Sequence, residues 1–125
     1  MARTRILVVD DSAELRALLK ELLELLGYEV QAARDGAAAL ALHRARCVAV
    51  VITDIFMPGI EGMETIARFK SGWPKVRVIA MSGGGDVAKS SYLQAALQIG
   101  ADAILRKPFT LEMLRTALAP SEMIY

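Results

Sequence analysis

Four short, mostly apolar runs in this chain each end on a polar residue, and those four endings leave the fold little freedom. Ile6-Leu7-Val8-Val9 meets Asp10-Asp11, and Val50-Val51-Ile52-Thr53 meets Asp54. Val78-Ile79-Ala80-Met81 meets Ser82, and Ala103-Ile104-Leu105-Arg106 meets Lys107-Pro108. Runs of this kind suit strands buried on both faces, as in a parallel sheet. Ligands of open parallel sheets bind beyond the carboxyl ends of the strands. Three carboxylates, a hydroxyl and an ammonium are therefore expected along one rim.

Helical patterns fill the gaps between these runs. Ser12 is placed to cap a first helix whose Leu15, Leu18, Leu19, Leu22 and Leu26 form an apolar stripe, with Gly27 closing it. Residues 28–33 alternate like a strand near a sheet edge. Asp35-Gly36 opens an alanine-rich helix towards Arg46, and residues 47–53 read as a central strand. Met57-Pro58-Gly59 breaks the chain into a loop before a helix at 63–70. Residues 77–81 read as a strand, 82–86 as a glycine-rich loop, 87–99 as a helix and 102–106 as the last strand. Thr110 caps a final helix that Pro120 ends.

Five β units alternating with five α units predict an α/β fold, a doubly wound five-stranded parallel sheet with helices on both faces. The flavodoxin-like order 2-1-3-4-5 puts the second strand at an edge and sets the first and third side by side. Asp10, Asp11 and Asp54 then share one crevice. Residues 1–120 are read as one domain and 121–125 as a C-terminal tail.

Composition narrows the function. At 125 residues, 54% hydrophobic and 23% charged, the chain has enough apolar material for one globular core. A formal net charge of +1 with scattered basic residues offers no grip on nucleic acid. No stretch approaches the roughly 18 apolar residues of a membrane span, and the apolar N-terminal stretch is too short for a signal peptide. A cytoplasmic location is expected. Cys47 is the only cysteine, so no intrachain disulfide forms, and it is expected as a small buried side chain. His43 reads as a solvated or packed helix residue, and Trp73 beside Pro74 as a loop anchor.

Clustered carboxylates repel one another, and a hard divalent cation offsets that repulsion. Mg²⁺ takes oxygen ligands and keeps several waters. Asp11 and Asp54 are candidate direct ligands, with the carbonyl of Phe56 beyond them and Asp10 acting through a water. A carboxylate can also attack phosphorus to give an acyl phosphate, and Asp54 is best placed to do so. Lys107 supplies compact positive charge and Ser82 a hydroxyl for phosphoryl oxygens.

These residues bring a family into view. Asp10-Asp11, the segment from Asp54 through Pro58-Gly59 to Gly62, Ser82-Gly83 and Lys107-Pro108-Phe109 together resemble the response-regulator receiver domains, the CheY-like family of two-component signalling. The likeness covers nearly the whole chain. It implies a phospho-acceptor at Asp54, an acidic metal pair at Asp10 and Asp11, a switch hydroxyl at Ser82, an essential lysine at Lys107 and a cis peptide before Pro108. It also implies a histidine kinase or histidine phosphotransfer protein as phosphodonor and a downstream protein target. The exposed edge of the first helix is where kinases usually dock on such domains. A second copy of the chain, as a homodimer, is a further candidate partner.

Departures from the family pattern matter as much. Ile104 stands where the family often has an aromatic switch residue, so activation is expected to be read through the Ser82 loop and the fourth helix. Phe56 and Gly84 stand two residues beyond Asp54 and Ser82, positions that tune self-hydrolysis in the family. Phe56 offers an apolar wall and is expected to shield the acyl phosphate. Glu61 replaces a common aspartate. Two other readings compete: an aspartate-nucleophile phosphatase, which wants an aspartate where Phe56 stands, and a receiver-like binding module that is never phosphorylated.

Overall fold

Each apolar run folds as a strand and each helical pattern as a helix. The computed structural model describes residues 3–56, 62–83 and 87–119. Its elements are β1 (Arg5–Val9), α1 (Ala13–Leu25), β2 (Glu29–Ala33), α2 (Gly36–Ala45) and β3 (Val50–Asp54), then α3 (Gly62–Gly72), β4 (Arg77–Gly83), α4 (Val87–Ile99), β5 (Ala103–Lys107) and α5 (Leu111–Leu118). All strand pairs are parallel, in the order β2-β1-β3-β4-β5. That is the order expected from the chemistry of the strand ends.

Alternation along the strands builds two cores. Leu7, Val9, Val51, Val78 and Ala80 face α2, α3 and α4, where Leu40, Ile66, Phe69 and Ala96 meet them. Ile6, Val8, Ile52, Ile79 and Met81 face α1 and α5, where Leu19, Leu23 and Leu114 meet them. Every residue of β3 is buried, so the strand carrying Asp54 is covered on both sides. Side-chain caps fix three helix starts, each worth about 1 kcal/mol. Ser12 accepts the Leu15 N–H, Asp35 the Ala38 N–H and Thr110 the Met113 N–H. Gly27 follows α1 at φ 99°, a left-handed conformation that suits glycine.

Several expectations need correction. Cys47 is exposed rather than buried, because α2 ends at Ala45 and β3 begins only at Val50, leaving Cys47 in the connection. The α1 stripe is rotated: Leu18 is 48% exposed, whereas Leu23 is fully buried. Ser82 and Gly83 belong to β4 rather than to a loop, since they pair with Arg106 and Lys107 of β5. Asp102 lies before β5 and accepts the Val78 N–H at 2.8 Å. His43, by contrast, meets its expectation as a packed helix residue. Its Nδ1 accepts the Val48 N–H at 3.0 Å, and its ring stands edge-on to Trp73 at 4.3 Å between centroids. Trp73 thereby anchors the end of α3. The Met57-Pro58-Gly59 loop, Glu61, Gly84, Pro120 and the 121–125 tail lie outside the described residues.

Candidate functional site

The polar residues converge because four parallel strands end at the same rim. Asp10 follows β1, Asp54 closes β3, Ser82 lies next to the end of β4 and Lys107 closes β5. Register holds them level: Val9 pairs with Thr53, Asp54 with Met81, and Gly83 with Lys107. Lys107 Nζ lies 3.0 Å from Asp10 Oδ2 and 3.0 Å from Asp54 Oδ2. One ammonium from β5 thus reaches past β4 to carboxylates on two further strands.

The other carboxylate oxygens are held by the backbone. Asp10 Oδ1 accepts the Ser12 N–H at 2.8 Å, and Asp54 Oδ1 accepts the Phe56 N–H at 2.9 Å. Asp10 and Asp54 are buried, while Asp11 is exposed at the lip. One oxygen from each of the three lies within 4.8 Å of the others. The donors are all hard oxygens, and the exposed Asp11 leaves the group open to water. This donor set suits Mg²⁺, which favours carboxylates together with retained waters.

The electrostatics follow from crowding. Burial pushes the Asp54 carboxyl above its usual range, and the nearby Asp10 charge adds to this, against the opposing pull of the Phe56 N–H and Lys107. For Lys107, burial acts to lower the pKa, but its bonds to Asp54 and Asp10 outweigh it and the net shift is upward. Lys107 is therefore cationic, and its one charge is shared by Asp10 and Asp54 in a group of three carboxylates. Ser82 is fully buried, and its Oγ has no hydrogen-bond partner among the described residues. A buried hydroxyl without a partner is costly, so it marks a position that can receive an acceptor oxygen.

Ile104 lies on β5, packed on the α2–α3–α4 side of the sheet, and His43 stays with Trp73 and Phe69. The bond before Pro108 is cis. Two contributors escaped the sequence reading, and a third, Gly62, entered it only as part of a motif without a structural role. Arg16 Nη1 donates to the Asp10 carbonyl at 2.7 Å; its only signal was a cation one turn into the helix that follows the acidic pair. At Gly62, a Cβ would overlap the Asp54 carbonyl oxygen and the Ile55 backbone, so only glycine lets α3 seat against the strand that carries Asp54. Tyr92 of α4 meets Phe56, a contact with no signature in sequence.

Residues 6–119 match the family model described as the response regulator receiver domain. The chain belongs to the response-regulator receiver family. This receiver domain is 36% identical over 110 residues to the response regulator MprA of Mycobacterium sp. (strain KMS), covering 88% of this chain and 46% of that protein. It is 40% identical over 119 residues to the virulence sensor protein BvgS of Bordetella pertussis, covering 91% of this chain and 10% of that one. The receiver thus spans less than half of these curated relatives. Among solved structures, chemotaxis protein CheY4 of Vibrio cholerae superposes with a TM-score of 0.81 at 31% identity, covering 94% of this chain and 97% of that one. A response regulator receiver domain protein from Clostridium thermocellum gives 0.81 at 35% identity, covering 91% and 90%. The receiver is a signalling module of the two-component type, and the phosphatase and non-phosphorylated readings are not favoured.

Proposed function

We propose that this receiver takes a phosphoryl group onto Asp54 from the phosphohistidine of a histidine kinase or histidine phosphotransfer protein. The observation that carries the reading is the single ammonium of Lys107, 3.0 Å from both Asp10 and Asp54, beside the open carboxylate of Asp11. Asp11, Asp54 and the Phe56 carbonyl would hold Mg²⁺, with Asp10 acting through a water. When bound, Mg²⁺ spreads the negative charge of the transferring group.

The chain's own residues do the rest. The Phe56 N–H and Lys107 fix the Asp54 carboxylate in one orientation, so little reorganisation precedes attack. A carboxylate oxygen bonds to phosphorus, and the P–N bond to the donor breaks. The electron pair returns to the imidazole, which picks up a proton. Lys107 stays with the new negative charge, and the Ser82 hydroxyl donates to a phosphoryl oxygen, gaining the partner it lacks. That movement shifts a pre-existing equilibrium of the β4 end and α4, the output path left by isoleucine at 104. The domain in this reading catalyses only its own phosphorylation and dephosphorylation, in the cytoplasm, and acts by binding a downstream protein.

Incubation with Mg²⁺ and acetyl phosphate, followed by intact mass, tests the reading. One added phosphate, abolished by chelation and by Asp54→Asn, is the expected result. No adduct, or an adduct unaffected by Asp54→Asn, would refute it. Multiple turnover of small phosphate esters would instead favour the phosphatase.

A further inference from the structure

One side chain of α4 reaches the loop that follows the acceptor strand. Tyr92, half exposed, stands edge-to-face against Phe56, with ring centroids 5.1 Å apart and planes at 77°. T-shaped pairs at this spacing are attractive beyond the area they bury. Phe56 also leans on the core beneath α2, α3 and α4, and its N–H donates to Asp54 Oδ1 at 2.9 Å. Tyr92 is thus two contacts from the acceptor carboxylate: ring on ring, then amide on carboxylate.

Resting on the acceptor role of Asp54 given above, we propose that Tyr92 is a positioning residue that clamps Phe56, whose N–H holds Asp54, and so sets the lifetime of the acyl phosphate. In the reaction it restrains, a water oxygen bonds to phosphorus and the P–O bond to Asp54 breaks. The electron pair returns to the carboxylate, and both water protons leave on inorganic phosphate, one exchanging with solvent. A fixed aromatic wall keeps water from that approach. A ring free to swing admits it. The contact is one of ring on ring, so a phenylalanine ring is expected to suffice.

The experiment uses the whole chain, loaded with acetyl phosphate and Mg²⁺, desalted, and followed by intact mass as phosphate is lost. Tyr92→Ala is expected to shorten the half-life about threefold to tenfold, the scale of one aromatic pair, and Tyr92→Phe to restore it to within about twofold. Because Tyr92 is half exposed, both variants should melt close to the parent, which separates the effect from loss of fold. An unchanged half-life in Tyr92→Ala, or a Tyr92→Phe as short-lived as the alanine variant, overturns the clamp. A parent chain that never takes phosphate overturns the acceptor reading and the clamp with it, whereas a phosphorylated chain indifferent to Tyr92→Ala overturns the clamp alone.

Discussion

Gly62→Ala should damage this domain far more than one methyl group suggests. The added carbon would overlap the Asp54 carbonyl oxygen, the Ile55 Cα and the Ile55 carbonyl carbon, all backbone atoms. Neither side can yield cheaply. β3 is paired to β1 and β4, and α3 is pinned by Ile66 and Phe69, both fully buried. Overpacking of a tight core costs about 1–3 kcal/mol, and rigid backbone on both sides puts this case at about 3. At about 2.1 cal/mol/K per residue, 125 residues give about 0.26 kcal/mol/K, so the melting midpoint should fall by about 11 °C. Any relief must move the peptide that carries Asp54. A displacement of about 1 Å is enough to slow phosphorylation by about 100-fold. Gly72→Ala is the matched control: the same substitution at the other end of α3, where a Cβ meets nothing within 4 Å. It should be neutral or gain up to about 1 kcal/mol. Thermal circular dichroism and the initial rate with acetyl phosphate read both effects. Equal melting points for the two variants would refute the close-approach argument.

Two further outcomes are expected. The burial of His43, with a smaller contribution from Arg44, holds its pKa below the usual 6.5. Its contribution to stability is complete above about pH 6.5; on acidification the unfolded chain takes the proton first, and stability falls by up to about 1.4 kcal/mol per pH unit until the folded-state value is reached. The difference in urea stability between the parent and His43→Leu should therefore shrink between about pH 7 and 5.5, and parallel curves would contradict it. Lys107→Met leaves the Asp10 and Asp54 carboxylates without their shared cation, which should cost about 2 kcal/mol in EDTA, less than a fully buried pair because Lys107 keeps 25% of its side chain exposed. Millimolar Mg²⁺ should recover part of the loss, and a variant as stable as the parent in EDTA would count against the electrostatic account of the rim.

The rim was legible in sequence because strand ends are punctuated by chemistry. Apolar runs define where a buried strand lies, and the first polar residue after each defines its carboxyl end. Parallel topology then does the gathering. Less legible was anything that depends on how one element seats against another. The α1 leucines have the right period, but the seating of the helix decides that Leu23 faces the sheet and Leu18 faces solvent. Ser82 looked like loop because glycine follows it, yet pairing with β5 carries β4 through Gly83. Valines after Cys47 suggest core, but α2 ends at Ala45 and β3 starts only at Val50, which leaves Cys47 in an exposed connection. Arg16, Gly62 and Tyr92 act across space on a backbone oxygen, a peptide plane and a ring, and none of those partners leaves a mark in spacing.

Asp54 closes the middle strand of the sheet, and the very next residue is already tied to β4 through the Ile55 N–H and the Met81 carbonyl. Such a residue has no room to travel. Whatever is attached to it must be accommodated by pieces at the periphery, above all the far end of β4 and the helix beyond. If Asp54 takes the phosphoryl group as proposed, chemistry and message are thereby kept on separate parts. On the proposed reading, the outer surface of α4 could be rewritten to suit a different listener while the Asp54 carboxylate stays anchored where it is.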